Sequence, residues 1–213
     1  MSDDLVFYTH PMSRGRIARW MLEEVGQPYR TEILGYGESM KSPAYLAINP
    51  MGKVPAIRHG EVTVTEAAAI CAYLADAFPE VGLAPPLRDK RRGTYFRWLF
   101  FAAGPVEAAM AAKTLGAAVK PEQKRSTGWG DETDLLNALE IAIAGRDYIL
   151  GDAFSAADVY FGSHIGWGMQ FGTLEKRPAF EAYNERLQNR PAAIRAREID
   201  DKLAAELPQP AAA

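Results

Sequence analysis

The chain contains almost none of the residues that disulfide-bonded or metal-binding proteins need. Cys71 is the single cysteine among 213 residues, so neither an intramolecular disulfide nor a multi-cysteine metal site can form. Three histidines are present, and none has the close spacing of an HExxH motif, so we expect no catalytic metal. A lone cysteine is typical of proteins in a reducing compartment, and the sequence therefore predicts a cytoplasmic location.

Long apolar runs and an excess of positive charge are missing as well. The chain opens on the polar and acidic residues Ser2, Asp3 and Asp4, unlike a secretory signal peptide. No apolar run approaches the roughly 20 residues that span a bilayer. Lysine and arginine number 24 against 27 aspartate and glutamate residues, a formal net charge of −3, which argues against a surface built to bind phosphates. We therefore expect neither a membrane nor a nucleic-acid partner.

The composition is that of a folded protein, with 48% hydrophobic and 24% charged residues. The first part of the chain alternates between strand-like and helix-like periodicity, which predicts an α/β unit. Its predicted elements are a strand at 5–9, a helix at 13–25, a strand at 28–34, a short helix at 43–48, a hairpin of 54–57 and 61–64, and a helix at 66–78. The order is βαβ-α-ββα, and the first two strands should be parallel because a helix connects them.

The rest of the chain is predicted to be helical after a linker. Residues 79–87 contain three prolines, which continue neither a helix nor a central strand. Beyond them, helical periods recur at about 89–115, 121–145, 155–169, 178–189 and 191–206. We therefore predict one domain over 1–78, a linker over 79–87, an all-α domain over 88–207 and a disordered tail over 208–213. Ser155, with Asp158 three positions later, predicts a capped helix start.

Four segments in this order resemble the cytosolic glutathione transferase family, in its bacterial type with a Ser-type motif. They are PMSRGR at 11–16, NPMGKVPA at 49–56, TEAAAI at 65–70 and FSAAD at 154–158. The resemblance covers nearly the whole chain. It implies a thioredoxin-like domain that binds glutathione as co-substrate, followed by an all-helical domain. It also implies a role in detoxification, in which the glutathione thiolate attacks a small hydrophobic electrophile.

The resemblance makes Ser13 the candidate for activating the glutathione thiol. A free thiol has a pKa near about 8.5, so only a small fraction is thiolate at neutral pH. A hydroxyl that donates to the thiolate supplies roughly 1.5–3 kcal/mol, and a helix start about 0.3–1 kcal/mol. Tyr8 is the runner-up, because Tyr-type classes use a tyrosine at the end of the first strand. In those classes Arg-Gly-Arg begins four residues later, whereas Arg14 follows Tyr8 by six, and this spacing favours Ser13.

The resemblance also assigns residues to the rest of glutathione. The backbone of Val54 faces the tripeptide, next to a cis peptide bond before Pro55. Glu66 faces the γ-glutamyl ammonium and the amide of Ala67 meets its carboxylate at a helix start. Lys53 can pair with the glycyl carboxylate. Most relatives carry serine where Ala67 stands, so we expect weaker glutathione binding here.

The second substrate should meet an apolar wall, for which we nominate Met12, Trp98, Phe101 and Trp167. The sequence leaves two alternatives open. One is a non-catalytic glutathione- or ligand-binding protein of the same fold, and the other is a glutathione-dependent peroxidase or isomerase. The resemblance further implies a homodimer, which is also the commonest soluble oligomer.

Overall fold

The computed structural model describes residues 4–117 and 119–207. The contacts divide the chain into two units. The first comprises the chain up to Leu74 and the segment that begins at Arg190, and the second is Ala75–Asn189. The predicted tail at 208–213 lies outside the described residues.

The first unit contains a four-stranded sheet with the predicted order of elements. Its elements are β1 (Leu5–Thr9), α1 (Gly15–Val25), β2 (Arg30–Ile33), a 3-10 turn (Ser39–Lys41), α2 (Pro43–Leu46), β3 (Ala56–His59), β4 (Val62–Thr65) and α3 (Ala67–Ala77), whose last residues belong to the second unit. The strand order is β2-β1-β3-β4, with β2 parallel to β1 and the other pairs antiparallel. All five residues of β1 are buried, which explains its uninterrupted apolar run.

Helix α1 begins two residues later than the sequence predicts. Residues 11–14 form a turn instead, in which the side chain of Ser13 accepts a hydrogen bond from the amide of Gly15. Side-chain oxygens of serine compete with the helical hydrogen-bond pattern in this way. The helix ends at Gly26, which adopts a φ of 72° and donates its amide to the carbonyl of Leu22.

The last helix, α9 (Pro191–Glu206), packs against α1 within the first unit. Its Asp200 accepts a hydrogen bond of 3.0 Å from Nε of Arg19, and the two side chains are 1% and 2% exposed. Nη1 of Arg19 donates to the hydroxyls of Tyr29 and Thr31, at 3.2 and 2.9 Å. The guanidinium carbon also lies 5.0 Å from the ring centre of Phe7. The predicted domain limits stay predictions, and the structure adds that the final helix packs with the α/β unit.

The second unit consists of helices. They are a 3-10 turn (Pro79–Val81), α4 (Arg91–Phe101), a π-helical turn (Ala102–Val106), α5 (Glu107–Thr114), a 3-10 turn (Pro121–Gln123), α6 (Glu132–Ile143), α7 (Ala156–Gln170) and α8 (Pro178–Gln188). A mixed sheet followed by helices is the fold class that the sequence predicts, and it is confirmed.

One predicted helix of this unit contains a turn that the sequence did not indicate, and another was wrong in where it begins. The helix predicted over 89–115 contains a π-helical turn around Pro105, because proline has no amide hydrogen to continue the α-helical ladder. The helix predicted over 121–145 begins only at Glu132. Gly130 just before it has a φ of 71°, which interrupts a helix, and Asp131 then caps α6 by accepting from the amide of Asp134 at 2.9 Å.

The predicted cap of α7 is confirmed, and it is more extensive than the sequence indicates. Oδ2 of Asp158 accepts from both the amide and the hydroxyl of Ser155, each at 2.9 Å. Oδ1 accepts from the amide of Ile149 at 2.7 Å and from the hydroxyl of Tyr183 at 2.8 Å. Burial raises the pKa of Asp158, while these four donors lower it. The carboxyl group thereby joins the start of α7, the chain before it and helix α8.

Substitution of Asp200 tests how much the buried ion pair holds α9 in place. Asp200→Ala should lower the free energy of unfolding by about 3–5 kcal/mol, because it leaves a buried arginine without its carboxylate. The measurement is urea denaturation at equilibrium. Asp201→Ala is the matched control, since this neighbour pairs with Arg16 but its side chain is 59% exposed. It should cost at most about 1 kcal/mol. Equal effects of the two substitutions would contradict the assigned role of the buried pair.

Candidate active site

The turn between β1 and α1 holds Ser13 in a defined position. Its hydroxyl donates to the carbonyl of His10 at 2.7 Å and accepts from the amide of Gly15 at 2.9 Å. A Cβ atom at Gly15 would collide with the hydroxyl of Thr9 and lie 2.9 Å from Oγ of Ser13. Only glycine therefore fits where the chain enters α1. The residue as a whole is half-buried.

Two side chains that the sequence analysis did not select lie in the same turn. Nδ1 of His10 accepts the amide of Met12 at 3.1 Å. The ring of Tyr36 packs on the imidazole, with 4.3 Å between ring centres, and its hydroxyl donates to the carbonyl of Met12 at 2.7 Å. A lone histidine after a strand and a tyrosine in a loop carry no sequence signal of their own. They meet because the turn after β1 and the loop after β2 lie side by side.

Tyr8, the runner-up for thiol activation, lies in the core of the first unit. It is 9% exposed and belongs to a cluster with Val6, Met40, Tyr45 and Ala56. Its ring centre is 5.8 Å from that of Tyr45. This position is that of a packing residue of the sheet.

The segment before β3 is held by its own hydrogen bonds. The carbonyl of Lys53 accepts from the hydroxyl of Tyr45 at 2.6 Å and from the side-chain amide of Asn49 at 2.7 Å. The peptide bond between Val54 and Pro55 is cis, as the resemblance implies. Within residues 4–117 and 119–207, neither the amide nor the carbonyl of Val54 has a hydrogen-bond partner. A free backbone pair in a fixed segment is suited to bind an extended peptide. The side chain of Lys53 is exposed beside it.

Glu66 has an unusual backbone conformation at the start of α3. Its φ is 67°, and it is the one described residue other than glycine with a positive φ. A non-glycine residue in the left-handed region costs of order 1–3 kcal/mol, and such residues are concentrated at functional sites. The side chain is exposed, and the next residue, Ala67, is 7% exposed and begins the helix. An exposed carboxylate beside free helix amides can receive an ammonium and a carboxylate together.

The residues nominated for the electrophile pocket have different environments. Met12, in the first unit, is 64% exposed. In the second unit, Trp98 is 3% exposed and packs edge-on against Phe101 and Phe161, with ring centres 5.3 and 5.9 Å apart. Phe101 and Trp167 are half-buried. Trp98 therefore has a core position, and the joint role of the four residues stays a prediction.

The described residues contain no group of three histidine, cysteine, aspartate or glutamate side chains arranged to hold a metal ion. Across the same residues, we find no helix with the length and apolar character of a membrane span.

Two family models match the chain. The model of the glutathione S-transferase N-terminal domain matches residues 12–77, and that of the glutathione S-transferase C-terminal domain matches residues 98–191. Glutathione S-transferase GstA of Escherichia coli O157:H7 is 30% identical over 164 residues, which cover 76% of this chain and 78% of that protein.

Solved structures give the same result. The glutathione transferase from Methylococcus capsulatus has 28% identity and a TM-score of 0.75, covering 93% of this chain and 99% of its own. A sphingomonad glutathione S-transferase complexed with glutathione has 28% identity and a TM-score of 0.73, covering 92% and 98%. The fold and the matched segments define a transferase class. The chain belongs to the glutathione S-transferase family.

Gly52 provides a test of the segment before β3. It has a φ of 56°, and a Cβ atom there would lie 2.5 Å from the carbonyl oxygen of Met40. Gly52→Ala should destabilise the protein by at least about 1 kcal/mol more than Gly26→Ala, because a backbone atom must move as well. Gly26 is the matched control, since its φ is 72° but nothing lies within 4 Å of the added atom. Urea denaturation measures both variants, and equal losses would show that the close approach to Met40 is unimportant.

Proposed function

We propose that the protein activates the thiol of glutathione for attack on a small hydrophobic electrophile, with Ser13 as the hydroxyl donor. The observation that carries the proposal is the position of Ser13. This half-buried residue lies in the turn that leads into α1, in the same unit as the free backbone of Val54 and Glu66 with its positive φ. A tripeptide thiol needs a partner for its sulfur, one for its backbone and one for its terminal ammonium, and these three features can supply them.

The hydrogen bonds of Ser13 suit it to stabilise a thiolate. Oγ accepts from the amide of Gly15, which polarises the hydroxyl and strengthens its donation. When a thiolate is present, the hydroxyl hydrogen rotates from the carbonyl of His10 to the sulfur. A hydrogen bond to a charged acceptor contributes about 1.5–3 kcal/mol, which lowers the thiol pKa by roughly one to two units. The thiolate fraction at neutral pH then rises from a few per cent to a large share.

The remaining parts of glutathione have one proposed partner each. The free amide and carbonyl of Val54 pair with the backbone of the cysteinyl residue, in the manner of a strand that adds to a sheet. Glu66 receives the γ-glutamyl ammonium, and the amide of Ala67 receives the neighbouring carboxylate. Lys53, exposed beside Val54, pairs with the glycyl carboxylate. The solved relative from a sphingomonad, complexed with glutathione, supports this choice of ligand.

A second candidate function rests on the alanine at position 67. Without a hydroxyl there, the γ-glutamyl carboxylate has one donor fewer than the serine implied by the family resemblance would provide. A protein that binds glutathione without conjugating it is therefore the alternative. Peroxide reduction and isomerisation with glutathione use the same thiolate and are distinguished by assay alone.

Removal of the Ser13 hydroxyl tests the proposed chemistry. Ser13→Ala should lower kcat/KM for conjugation of an aryl halide by about 10- to 150-fold, the equivalent of the lost hydrogen bond to the thiolate. The pKa of bound glutathione, followed by the ultraviolet absorbance of the thiolate, should rise in the same variant. Tyr8→Phe is the control and should retain turnover, because Tyr8 packs in the core. The reverse pattern would transfer the role to Tyr8, and binding without any turnover would favour the alternative.

Restoring the missing hydroxyl tests the assignment of Ala67. Ala67→Ser should tighten glutathione binding by about 2- to 12-fold, which is the effect of one added hydrogen bond. Titration calorimetry measures the dissociation constant. Ala69→Ser, at an exposed position of the same helix, is the matched control and should leave affinity as it is. If the two variants behave alike, the carboxylate does not bind at the start of α3.

We also propose a homodimer. The family resemblance implies this assembly, and Ala68 and Ala75 of α3 are buried within the chain itself, at 8% and 1% exposure. Phe100 on α4 is one of the exposed large apolar residues: it is 65% exposed and stacks on Phe96. Sedimentation equilibrium at micromolar concentration should give twice the monomer mass of 23.4 kDa. A monomer with full activity would contradict the proposal.

A further inference from the structure

Thr9, the last residue of β1, carries a buried hydroxyl that makes one long hydrogen bond. The residue is fully buried, with 0% exposure. Its Oγ1 donates to the carbonyl of His10 at 3.4 Å, and among residues 4–117 and 119–207 this hydroxyl has no other hydrogen-bond partner. The distance is longer than the roughly 2.7–2.8 Å that is usual between a hydroxyl and its oxygen acceptor. The hydroxyl of Thr9 is therefore only weakly bound.

The carbonyl of His10 accepts hydrogen bonds from two hydroxyls. Oγ of Ser13 donates to it at 2.7 Å and Oγ1 of Thr9 at 3.4 Å, and no further donor in the described part of the chain reaches it. Gly15 shows how the two oxygens are arranged. A Cβ atom added there would collide with Oγ1 of Thr9 and lie 2.9 Å from Oγ of Ser13. Both hydroxyls therefore lie around one point, where the chain enters α1.

Packing of β1 does not explain why a hydroxyl is present at this position. The other four residues of the strand are apolar or aromatic, and all five are buried. Valine has nearly the same shape as threonine and the same β-branched preference for strands. A buried hydroxyl, by contrast, destabilises a protein unless a hydrogen bond compensates for the loss of water. The weakly bound hydroxyl of Thr9 therefore requires another explanation.

We propose that Thr9 is a positioning residue for Ser13, because it donates to the carbonyl of His10 when the hydroxyl of Ser13 turns to the thiolate. The inference rests on the proposed function, since it assumes that Ser13 is the donor to the sulfur. Thr9 is fully buried and acts through Ser13 rather than on glutathione itself. No proton is transferred between the two residues, since each hydroxyl keeps its own hydrogen and only the orientation changes.

The second donor lowers the cost of turning Ser13 away from the carbonyl. Once Ser13 donates to a thiolate, the carbonyl of His10 loses its short hydrogen bond. The bond between Thr9 and this carbonyl is buried, and a buried acceptor that is left without a donor destabilises the protein. With Thr9 in place the carbonyl keeps a donor, and this bond strengthens when it no longer shares the acceptor. The thiolate state is thereby favoured over the thiol state.

Three substitutions of Thr9 separate its hydroxyl from its contribution to packing. Thr9→Val and Thr9→Ala both remove the hydroxyl, the first with the side-chain volume kept and the second with a smaller side chain. Thr9→Ser keeps the hydroxyl and removes the methyl group. Thr63→Val is the matched control, since it removes the hydroxyl of an exposed threonine from β4 of the same sheet.

The first measurement is a pH titration of bound glutathione, followed by the ultraviolet absorbance of the thiolate. Thr9→Val and Thr9→Ala should lower the acid dissociation constant of the bound thiol about three- to tenfold, the effect of one hydrogen bond. Thr9→Ser should stay within about twofold of the wild type, and Thr63→Val should leave the constant unchanged. Affinity for S-methylglutathione, which has no ionisable thiol, should be the same in all variants. No loss in Thr9→Val and Thr9→Ala, an equal loss in Thr9→Ser, or an equal loss of S-methylglutathione affinity overturns the inference.

The second measurement is a double-mutant cycle with Ser13→Ala, read by the same titration. In the Ser13→Ala background, adding Thr9→Val should change the acid dissociation constant by less than about twofold, because no serine hydroxyl is left to turn. A loss as large as in the wild-type background gives Thr9 an effect that is independent of Ser13 and overturns the inference. Failure of the proposed function has a different signature, in which Ser13→Ala itself leaves the constant unchanged. A loss in Ser13→Ala without a loss in Thr9→Val and Thr9→Ala overturns the inference alone.

Discussion

The ion pair of Arg19 and Asp200 is the interaction on which the first unit depends. Both side chains are almost fully buried, and a buried charge is tolerated only beside an opposite charge and further hydrogen-bond partners. Arg19 lies on α1 and Asp200 on α9, so the pair fixes the last helix of the chain against the first. Because α1 begins at the turn that contains Ser13, the packing of α9 also supports the helix that follows the candidate site.

In the second unit, a single buried carboxyl group connects several segments of the chain. Asp158 is buried and accepts four hydrogen bonds, from Ser155, Ile149 and Tyr183. Ile149 precedes α7, Ser155 stands at the start of α7, and Tyr183 lies on α8. In both units a buried acid connects segments that apolar packing alone would hold less specifically, because hydrogen bonds require particular atoms in particular places.

The candidate site consists mainly of backbone whose conformation is fixed by its neighbours. Lys53 is anchored through its carbonyl, Val54 leaves its backbone groups free, and Glu66 is held with a positive φ. A ligand that resembles a peptide can bind such a surface through its own main chain. In the proposed reaction, the hydroxyl of Ser13 supplies the hydrogen bond to the thiolate.

The sequence determined the features that depend on neighbouring residues. The strand at β1, the order of the sheet elements, the capped start at Ser155 and the position of Ser13 between strand and helix all follow from local periodicity or short spacing. The helical period over 89–115 is present but contains a π-helical turn at Pro105, and the one over 121–145 was wrong in its start because of the backbone at Gly130. Periodicity reports side chains rather than backbone hydrogen bonds. The resemblance added the cis bond before Pro55, which local spacing alone does not indicate.

Only the tertiary structure decided which distant residues meet. Arg19 and Asp200 are 181 positions apart, and His10 meets Tyr36 because two loops lie at the same edge of the sheet. The identities of the residues likewise do not predict the positive φ of Glu66 or the free backbone of Val54. The physical reason is that local sequence fixes backbone preference and apolar periodicity. Burial and hydrogen-bond partners depend instead on atoms that come from elsewhere in the chain.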